Sequence, residues 1–252
     1  MANPNFVSKG DGDETLLFVH GLGENLESWS EQVDYFSKQK YRAVALDLRG
    51  HGRSEAGSGR IEMEGFAEDV FEVLHSLGAE EATLCGLSMG ALVVLEAYKR
   101  RPEIFESMIL VSAIPQYPPS QTNLIETLSM REVGEQVSGF AVALTASKDL
   151  KQKIANMVAA TDKRSYIESA EAACAQDYTD VLRQVSVPTL LIVGELDYIT
   201  PPEAAKFMQK RIPNCQMKIM KGVGHLPNRE HPQEFNTIVE QFLKANIGVK
   251  TA

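Results

Sequence analysis

Residues 82–98 read ATLCGLSMGALVVLEAY, and this stretch decides the fold that the sequence predicts. Its first six residues form a short apolar run of the kind that makes a strand buried on both faces. The pattern Gly-x-Ser-x-Gly around Ser88 comes next, and a helix-like run follows from Ala91 to Tyr98. Small residues flank a serine in this way where strand and helix backbones approach closely in a sharp turn. The sequence therefore predicts that the Ser88 hydroxyl projects above a sheet at the start of a helix.

Further apolar runs lie on both sides of this stretch and alternate with helical patterns. The strand-like runs are residues 15–20, 41–46, 108–112, 189–193 and, more weakly, 216–220. Residues 63–77 place apolar side chains at helical spacing before Gly78, residues 235–243 also have a helical pattern, and Pro201 and Pro202 suit a helix start. Alternating strands and helices predict an α/β fold, with a mostly parallel central sheet flanked by helices.

The alternation stops between about residue 114 and residue 184. This segment opens with three prolines and then shows helix-like stretches at 124–136, 140–146, 150–160 and 164–175, without a convincing strand. Ordinary crossover helices are the alternative, but four helices in a row favour a helical cap inserted into the core. The expected organisation is a core of residues 1–113 and 185–252 and a cap of residues 114–184.

Composition and charge exclude several classes of protein. The 252 residues carry a formal net charge of −9, which disfavours nucleic acid, an anionic membrane and a strongly anionic substrate as partners. No apolar run is long enough to span a membrane and no signal peptide is visible, so a cytoplasmic protein is expected. Three scattered cysteines form no ligand or disulfide pattern, so no metal and no cofactor are expected. The sequence leaves open a monomer or a homodimer.

Three other segments match a known family in the same order along the chain. They are His20-Gly21-Leu22-Gly23, the run DLRGHGRS at residues 47–54, and Gly222-Val223-Gly224-His225. Together with the turn around Ser88 they resemble the α/β-hydrolase family, in its esterase, enol-lactonase and C–C hydrolase branch. The resemblance implies the α/β-hydrolase fold with a helical cap. The segment before residue 15 is short, so the antiparallel hairpin that usually opens this fold is expected to be reduced or absent.

The resemblance also implies a Ser-Asp-His triad in the chain order nucleophile, acid, histidine. Ser88 is then the nucleophile and His225 the base, while His231 is the weaker candidate for the base. Two carboxylates follow the strand at residues 189–193. The family pattern of glycine, two residues, aspartate and a nearby proline favours Asp197 as the acid and leaves Glu195 as the fallback. The DLRGHGRS run is expected to be a structural turn.

The remaining site residues follow from the same resemblance and from position. The oxyanion hole is expected from the backbone N–H groups of Leu22 and Met89. Position alone suggests four substrate-pocket residues: Ile114, Met130, Phe140 and Leu226. Three histidines are given no catalytic role: His20, His51 and His75.

The expected activity is hydrolysis of a carboxylic ester or lactone of small to medium size through an acyl-enzyme on Ser88. C–C bond hydrolysis, thioester hydrolysis and perhydrolysis use the same triad and remain open as alternatives. A slow-turnover ligand receptor or regulator with an intact triad also remains open. Haloalkane dehalogenases and epoxide hydrolases are disfavoured, because those relatives carry aspartate where this chain has Ser88.

Overall fold

The computed structural model describes residues 4–119 and 122–246, and a seven-stranded sheet lies at its centre. The strands are β1 (Phe6–Lys9), β2 (Glu14–Val19), β3 (Tyr41–Leu46), β4 (Ala82–Leu87), β5 (Phe105–Val111), β6 (Thr189–Gly194) and β7 (Cys215–Met220). Their order is β1-β3-β2-β4-β5-β6-β7. Strand β1 pairs antiparallel with β3, and every other neighbouring pair is parallel. The predicted α/β class with a mostly parallel sheet is confirmed.

Ten α-helices are present in the described part of the chain. They are α1 (Ser30–Phe36), α2 (Met63–Ser76), α3 (Met89–Arg100), α4 (Thr122–Thr127), α5 (Met130–Phe140), α6 (Lys148–Ala159), α7 (Lys163–Cys174), α8 (Pro202–Gln209), α9 (Pro227–Glu230) and α10 (Pro232–Asn246). None of these helices is both long and apolar enough to cross a membrane.

Apolar side chains fill both faces of the sheet, because successive residues of a strand point to opposite sides. In β2, Leu17 and Val19 belong to one buried cluster, which also contains side chains of α2 and α3. Leu16 and Phe18 belong to the other cluster, with side chains of α1 and α10. The sheet is therefore a rigid platform, and the loops at the carboxyl ends of its strands are free to carry chemistry.

The segment between β5 and β6 contains α4–α7 and no strand among its described residues; we call residues 112–188 the insertion. Its helices begin at hydrogen-bonding caps: Ser129 for α5, Ser147 for α6 and Asp162 for α7. Val133 of α5, Val158 of α6 and Tyr166 of α7 form a small apolar cluster that joins these helices. The division into a core and a cap at residues 114 and 184 stays a prediction.

Two sequence-based expectations about elements were wrong in detail. Residues 140–146 are not a helix: α5 ends at Phe140, and the following turn instead bonds to the core through Ala141 and Ala143. The stretch expected as one helix at 124–136 is divided between α4 and α5. The division falls at Ser129, whose capping box with Glu132 starts a new helix. The reduced opening hairpin appears as the single antiparallel strand β1.

Candidate active site

Ser88 lies in the turn between β4 and α3 with a backbone conformation that side chains rarely adopt. Its φ is 54° and its ψ is −116°. A Cβ at Gly86 would overlap the carbonyl oxygen of Gly90, and a Cβ at Gly90 would overlap the carbonyl oxygen of Val19. The two glycines therefore let helix α3 start directly against the strands, which holds the Ser88 hydroxyl out from the sheet.

His225 connects Ser88 to Asp197. The Ser88 Oγ lies 2.9 Å from His225 Nε2, and His225 Nδ1 lies 2.9 Å from Asp197 Oδ2. With Asp197 ionised, Nδ1–H donates to the carboxylate, so Nε2 is left to accept the hydroxyl proton of Ser88. The structure thus brings the three residues expected as nucleophile, base and acid into one hydrogen-bonded line.

The Asp197 carboxylate is buried and fully engaged. Thr200 Oγ1 donates to Oδ2 at 2.7 Å, and the backbone N–H groups of Ile199 and Thr200 donate to Oδ1, each at 2.9 Å. Burial alone would raise the pKa of Asp197, but the hydrogen bonds from His225 and Thr200 outweigh it and hold this pKa below its usual value. Asp197 is therefore an anion at neutral pH that fixes the orientation of the imidazole.

The backbone around His225 is held by the insertion and by Glu230. The His225 N–H donates to the carbonyl of Ala141 at 2.9 Å. Glu230 of α9 accepts from the N–H groups of Gly224 at 3.0 Å and Leu226 at 3.3 Å, and its other oxygen accepts from Ala143 N at 2.8 Å. The half-buried carboxylate of Glu230 thus ties the residues on both sides of His225 to the insertion.

The expected oxyanion-hole residues, Leu22 and Met89, both line the cavity that contains Ser88. Met89 is the first residue of α3, so its N–H is one of the first-turn donors that have no intrahelical partner. Leu22 follows Gly21, whose N–H donates to Glu24 Oε2 at 3.3 Å and whose carbonyl accepts from His20 Nδ1 at 2.8 Å. These bonds fix the loop that contains Leu22, and the role of the two N–H groups stays a prediction.

The two turn histidines are buried and neutral. His20 Nδ1–H donates to Gly21, and its Nε2 accepts from Leu48 N at 3.0 Å. Burial lowers the pKa of His20 to about 4, and burial together with the neighbouring His20 lowers the pKa of His51 to about 3. The rings lie 5.1 Å apart between centroids. Their contacts support the loops around the site, and neither ring bonds to the Ser88–His225–Asp197 line.

The cavity above Ser88 has a volume of about 230 Å³, and the insertion supplies about half of its lining residues. Of the four residues expected to line a pocket, Phe140 and Leu226 do so. Ile114 and Met130 lie outside the cavity lining. Ile114 is half-buried in the loop that follows β5. Met130 packs against the small apolar cluster of the insertion. Position in sequence could not distinguish these two environments.

Tyr117 is a site residue that sequence reasoning missed. Its hydroxyl lies 3.2 Å from Ser88 Oγ, in the same cavity. Because the Ser88 proton points to His225, the Tyr117 O–H donates to Ser88 Oγ. Burial raises the pKa of Tyr117, so its hydroxyl keeps its proton. The prolines around it marked a loop in the sequence, but no sequence pattern indicated that this loop returns over Ser88.

Glu24 also contributes to the cavity lining and was missed. Its Oε1 lies 3.3 Å from Arg229 Nη1, and both side chains are at least nine-tenths buried. Arg229 lies on α9, which begins just after the loop of His225. The ion pair therefore links the loop of Leu22 to the loop of His225. A Glu and an Arg separated by 205 residues carry no signal in the sequence that they meet.

The fallback residues lie outside the hydrogen-bonded line. Glu195 is exposed and its carboxylate accepts from Gly222 N at 3.0 Å. His231 is exposed and lies 3.5 Å from Glu234. In the turn of residues 47–54, the Asp47 carboxylate accepts from the N–H groups of Leu26 and Arg53, as a structural turn requires.

Comparison with known proteins gives one family and several relatives. A family model described as serine aminopeptidase, S33, matches residues 10–232. The 3-oxoadipate enol-lactonase 2 of Acinetobacter baylyi is 28% identical over 249 residues, which cover 95% of this chain and 92% of that protein. The 2-hydroxy-6-oxononadienedioate/2-hydroxy-6-oxononatrienedioate hydrolase of Paraburkholderia phymatum is 28% identical, covering 95% and 90%. A thermophilic esterase from Thermogutta terrifontis superposes with a TM-score of 0.85 at 26% identity, covering 96% and 93%.

Proposed function

The chain belongs to the α/β-hydrolase family described as serine aminopeptidase, S33, and on that premise we propose that it hydrolyses a carboxylic ester or lactone through an acyl-enzyme on Ser88. One observation carries the proposal: an unbroken line of hydrogen bonds runs from Ser88 Oγ through His225 to the buried Asp197. This arrangement is the one needed to activate a serine hydroxyl at neutral pH.

In the first half-reaction Ser88 Oγ bonds to the carbonyl carbon of the substrate while its proton passes to His225 Nε2. The imidazolium is stabilised by Asp197, whose low pKa keeps it ionised. Collapse of the tetrahedral intermediate breaks the bond to the leaving oxygen, which takes the proton from His225. In the second half-reaction water attacks the acyl group, gives its proton to His225, and Ser88 leaves with that proton.

The negative oxygen of each tetrahedral intermediate needs donors that are already in place. The N–H groups of Leu22 and Met89 fill this role in the proposal, and the start of helix α3 adds its favourable dipole. The bonds of Gly21 to His20 and Glu24 support this assignment, since they keep the Leu22 loop from turning when charge develops.

C–C bond hydrolysis by the same triad is the second candidate. The relative from Paraburkholderia phymatum, named as an oxononadienedioate hydrolase, favours it, whereas the enol-lactonase and esterase relatives favour the ester or lactone. Hydrolysis of an ester needs only the groups already described.

The test combines turnover with labelling of the nucleophile. The wild-type protein and Ser88→Ala are incubated with p-nitrophenyl acetate, butyrate and octanoate, and nitrophenolate release is followed. In parallel, a fluorophosphonate probe is added and the labelled residue is located by mass spectrometry. We expect turnover that is lost in Ser88→Ala and a single adduct on Ser88.

Other outcomes separate the alternatives. Labelling of Ser88 without ester turnover would contradict ester hydrolysis and favour C–C hydrolysis or a slow receptor. Neither labelling nor turnover would contradict the assignment of Ser88 as nucleophile.

A further inference from the structure

The side chains that line the cavity carry almost no charge. Among the described residues that line the cavity there is no lysine and no arginine, and the one carboxylate is Glu24. The insertion contributes mainly apolar side chains to this wall: Val137, Ile154, Val158, Ala170 and Ala173. The polar side chains of the lining that bond to one another are Ser88, His225 and Tyr117. The acyl part of a bound substrate would therefore lie against an apolar wall.

The nearest buried cation is already neutralised. Arg229 pairs with Glu24 at 3.3 Å, and its side chain is only 10% exposed. Glu24 lies between this guanidinium and the loop of Leu22, because its other oxygen accepts from Gly21 N. A substrate carboxylate entering the cavity would meet the carboxylate of Glu24 before it met Arg229. The pair carries no net charge and so offers a substrate anion no free counter-ion, and the net charge of the chain, −9, also disfavours an anion.

We propose that the site selects substrates whose acyl part is uncharged and apolar, and that it rejects acyl parts ending in a carboxylate, such as half-esters of diacids. The inference rests on the proposed ester hydrolysis at Ser88 and adds the substrate class. Its physical basis is desolvation: a carboxylate moved from water to an apolar wall loses its hydration, and no counter-ion in this cavity compensates.

Three substrates of matched length test the inference: p-nitrophenyl hexanoate, mono-p-nitrophenyl adipate, and the methyl p-nitrophenyl diester of adipic acid. The second places a carboxylate where the first ends in a methyl group, and the third caps that carboxylate as an uncharged ester. We expect kcat/KM for the half-ester to be lower than for hexanoate by at least about 100-fold. The capped diester should recover most of the loss. Equal rates for hexanoate and the half-ester, or equal loss for the half-ester and the diester, would overturn the inference.

A binding measurement keeps this test independent of turnover. Ser88→Ala is titrated calorimetrically with methyl hexanoate and with monomethyl adipate, and the uncharged ligand should bind at least about 30-fold more tightly. Adipate binding that is equal or tighter would overturn the charge argument. If no ester is turned over but this preference is found, the proposed ester hydrolysis fails and the selection against charge stands.

A variant of the wall tests the cause. Val137 of α5 is half-buried and lines the cavity. Val137→Arg should raise kcat/KM for the adipate half-ester by about tenfold, since it supplies the missing counter-ion. Val137→Met is the matched control, with a long uncharged side chain, and should leave the preference for hexanoate unchanged. An equal change of that preference in both variants would contradict a role for charge.

Discussion

Two regions meet at the cavity, and they are built differently. At the carboxyl end of the sheet, the turn of Ser88 and the loops of Asp197 and His225 are fixed by backbone geometry and by buried hydrogen bonds. The insertion wall is made by apolar side chains on helices. Catalytic geometry therefore depends on the exact positions of a few hydrogen-bonding atoms. The binding properties of the wall depend instead on which side chains, apolar or charged, make up its surface.

This difference indicates which region determines the reaction rate and which determines the choice of substrate. A substitution at the sheet end should alter rate or folding sharply, because partners there are specific and buried. A substitution of similar size in the wall should alter the choice of substrate and leave the chemistry in place. Four predictions test the contrast, and their expected effects decrease in order.

The largest effect is expected at the acid of the triad. Asp197→Asn removes the negative charge and favours the wrong imidazole tautomer, so kcat for p-nitrophenyl butyrate should fall about 10,000-fold. The fold should persist, because Thr200 and Ile199 still have an oxygen to bond. Glu195→Gln is the control two residues away and should keep near-wild-type activity. A mild effect of Asp197→Asn would contradict the described line of hydrogen bonds.

Acid should destabilise the sheet end. The pKa of His20 is lowered to about 4 by burial, against about 6.5 in an unfolded chain, so the unfolded state takes up a proton that the native state refuses. The corresponding stability is complete above about pH 6.5 and is lost as the pH falls toward 4, by roughly 3 kcal/mol. Urea unfolding at pH 7.5, 5.5 and 4.5 measures it.

Two variants test whether buried imidazoles cause the loss of stability in acid. His51→Phe removes the second buried imidazole, whose pKa is lowered to about 3, so the loss on acidification should become smaller. His75→Gln changes an exposed helix residue and should leave the pH dependence as it is. All five histidines lie outside residues 114–184. Hydrogen exchange at acid pH should therefore increase first at the sheet end. Earlier exchange in the insertion would contradict the claim that acid acts on the sheet end.

Alanine in place of glycine should separate the two regions by stability. Gly90→Ala would push a Cβ into the carbonyl oxygens of Val19 and His20, and should cost about 1–3 kcal/mol of unfolding free energy along with activity. Gly139→Ala in α5 places its Cβ in open space and should be neutral or stabilising by up to about 1 kcal/mol. Denaturant unfolding compares them, and equal losses would be the contrary result.

The smallest effect is expected at the phenol over the nucleophile. Tyr117→Phe removes one hydrogen bond to Ser88 Oγ, worth about 0.5–1.5 kcal/mol, so kcat should fall by up to about tenfold with KM little changed. Tyr166→Phe removes another phenol oxygen from the cavity lining, one with no bond to Ser88 in the described structure, and should preserve kcat. Equal kcat values for the two variants would remove Tyr117 from the mechanism.

The sequence predicted the features that depend on local pattern. The central strands can be predicted because each is a buried apolar run. The turn around Ser88 can be predicted because only glycine, without a Cβ, fits between the close backbones at positions 86 and 90. Strand β1 was not predicted as an element, since its four residues have no continuous apolar run and gain their place only by pairing with β3.

What the sequence could not predict depends on contacts between distant segments. Tyr117 reaches Ser88 only because the loop after β5 folds back, and Glu24 meets Arg229 across most of the chain. Residues 140–146 have a helical composition, yet their turn is decided by bonds to His225 and Glu230. Of the pocket residues expected from position, Met130 on α5 packs against the small cluster of the insertion instead, and Ile114 lies in the loop after β5, outside the cavity lining.

The attachment of the insertion to the histidine loop limits how this protein can be recombined. A graft that exchanged residues 112–188 for the equivalent segment of a relative would bring a new wall, but it would also replace the two insertion residues, Ala141 and Ala143, that bond to His225 and Glu230. The carbonyl of residue 141 and the N–H of residue 143 would have to arrive in register. Transplants that keep residues 140–144 of this chain should inherit a working base, whereas wholesale transplants would exchange specificity and lose rate together.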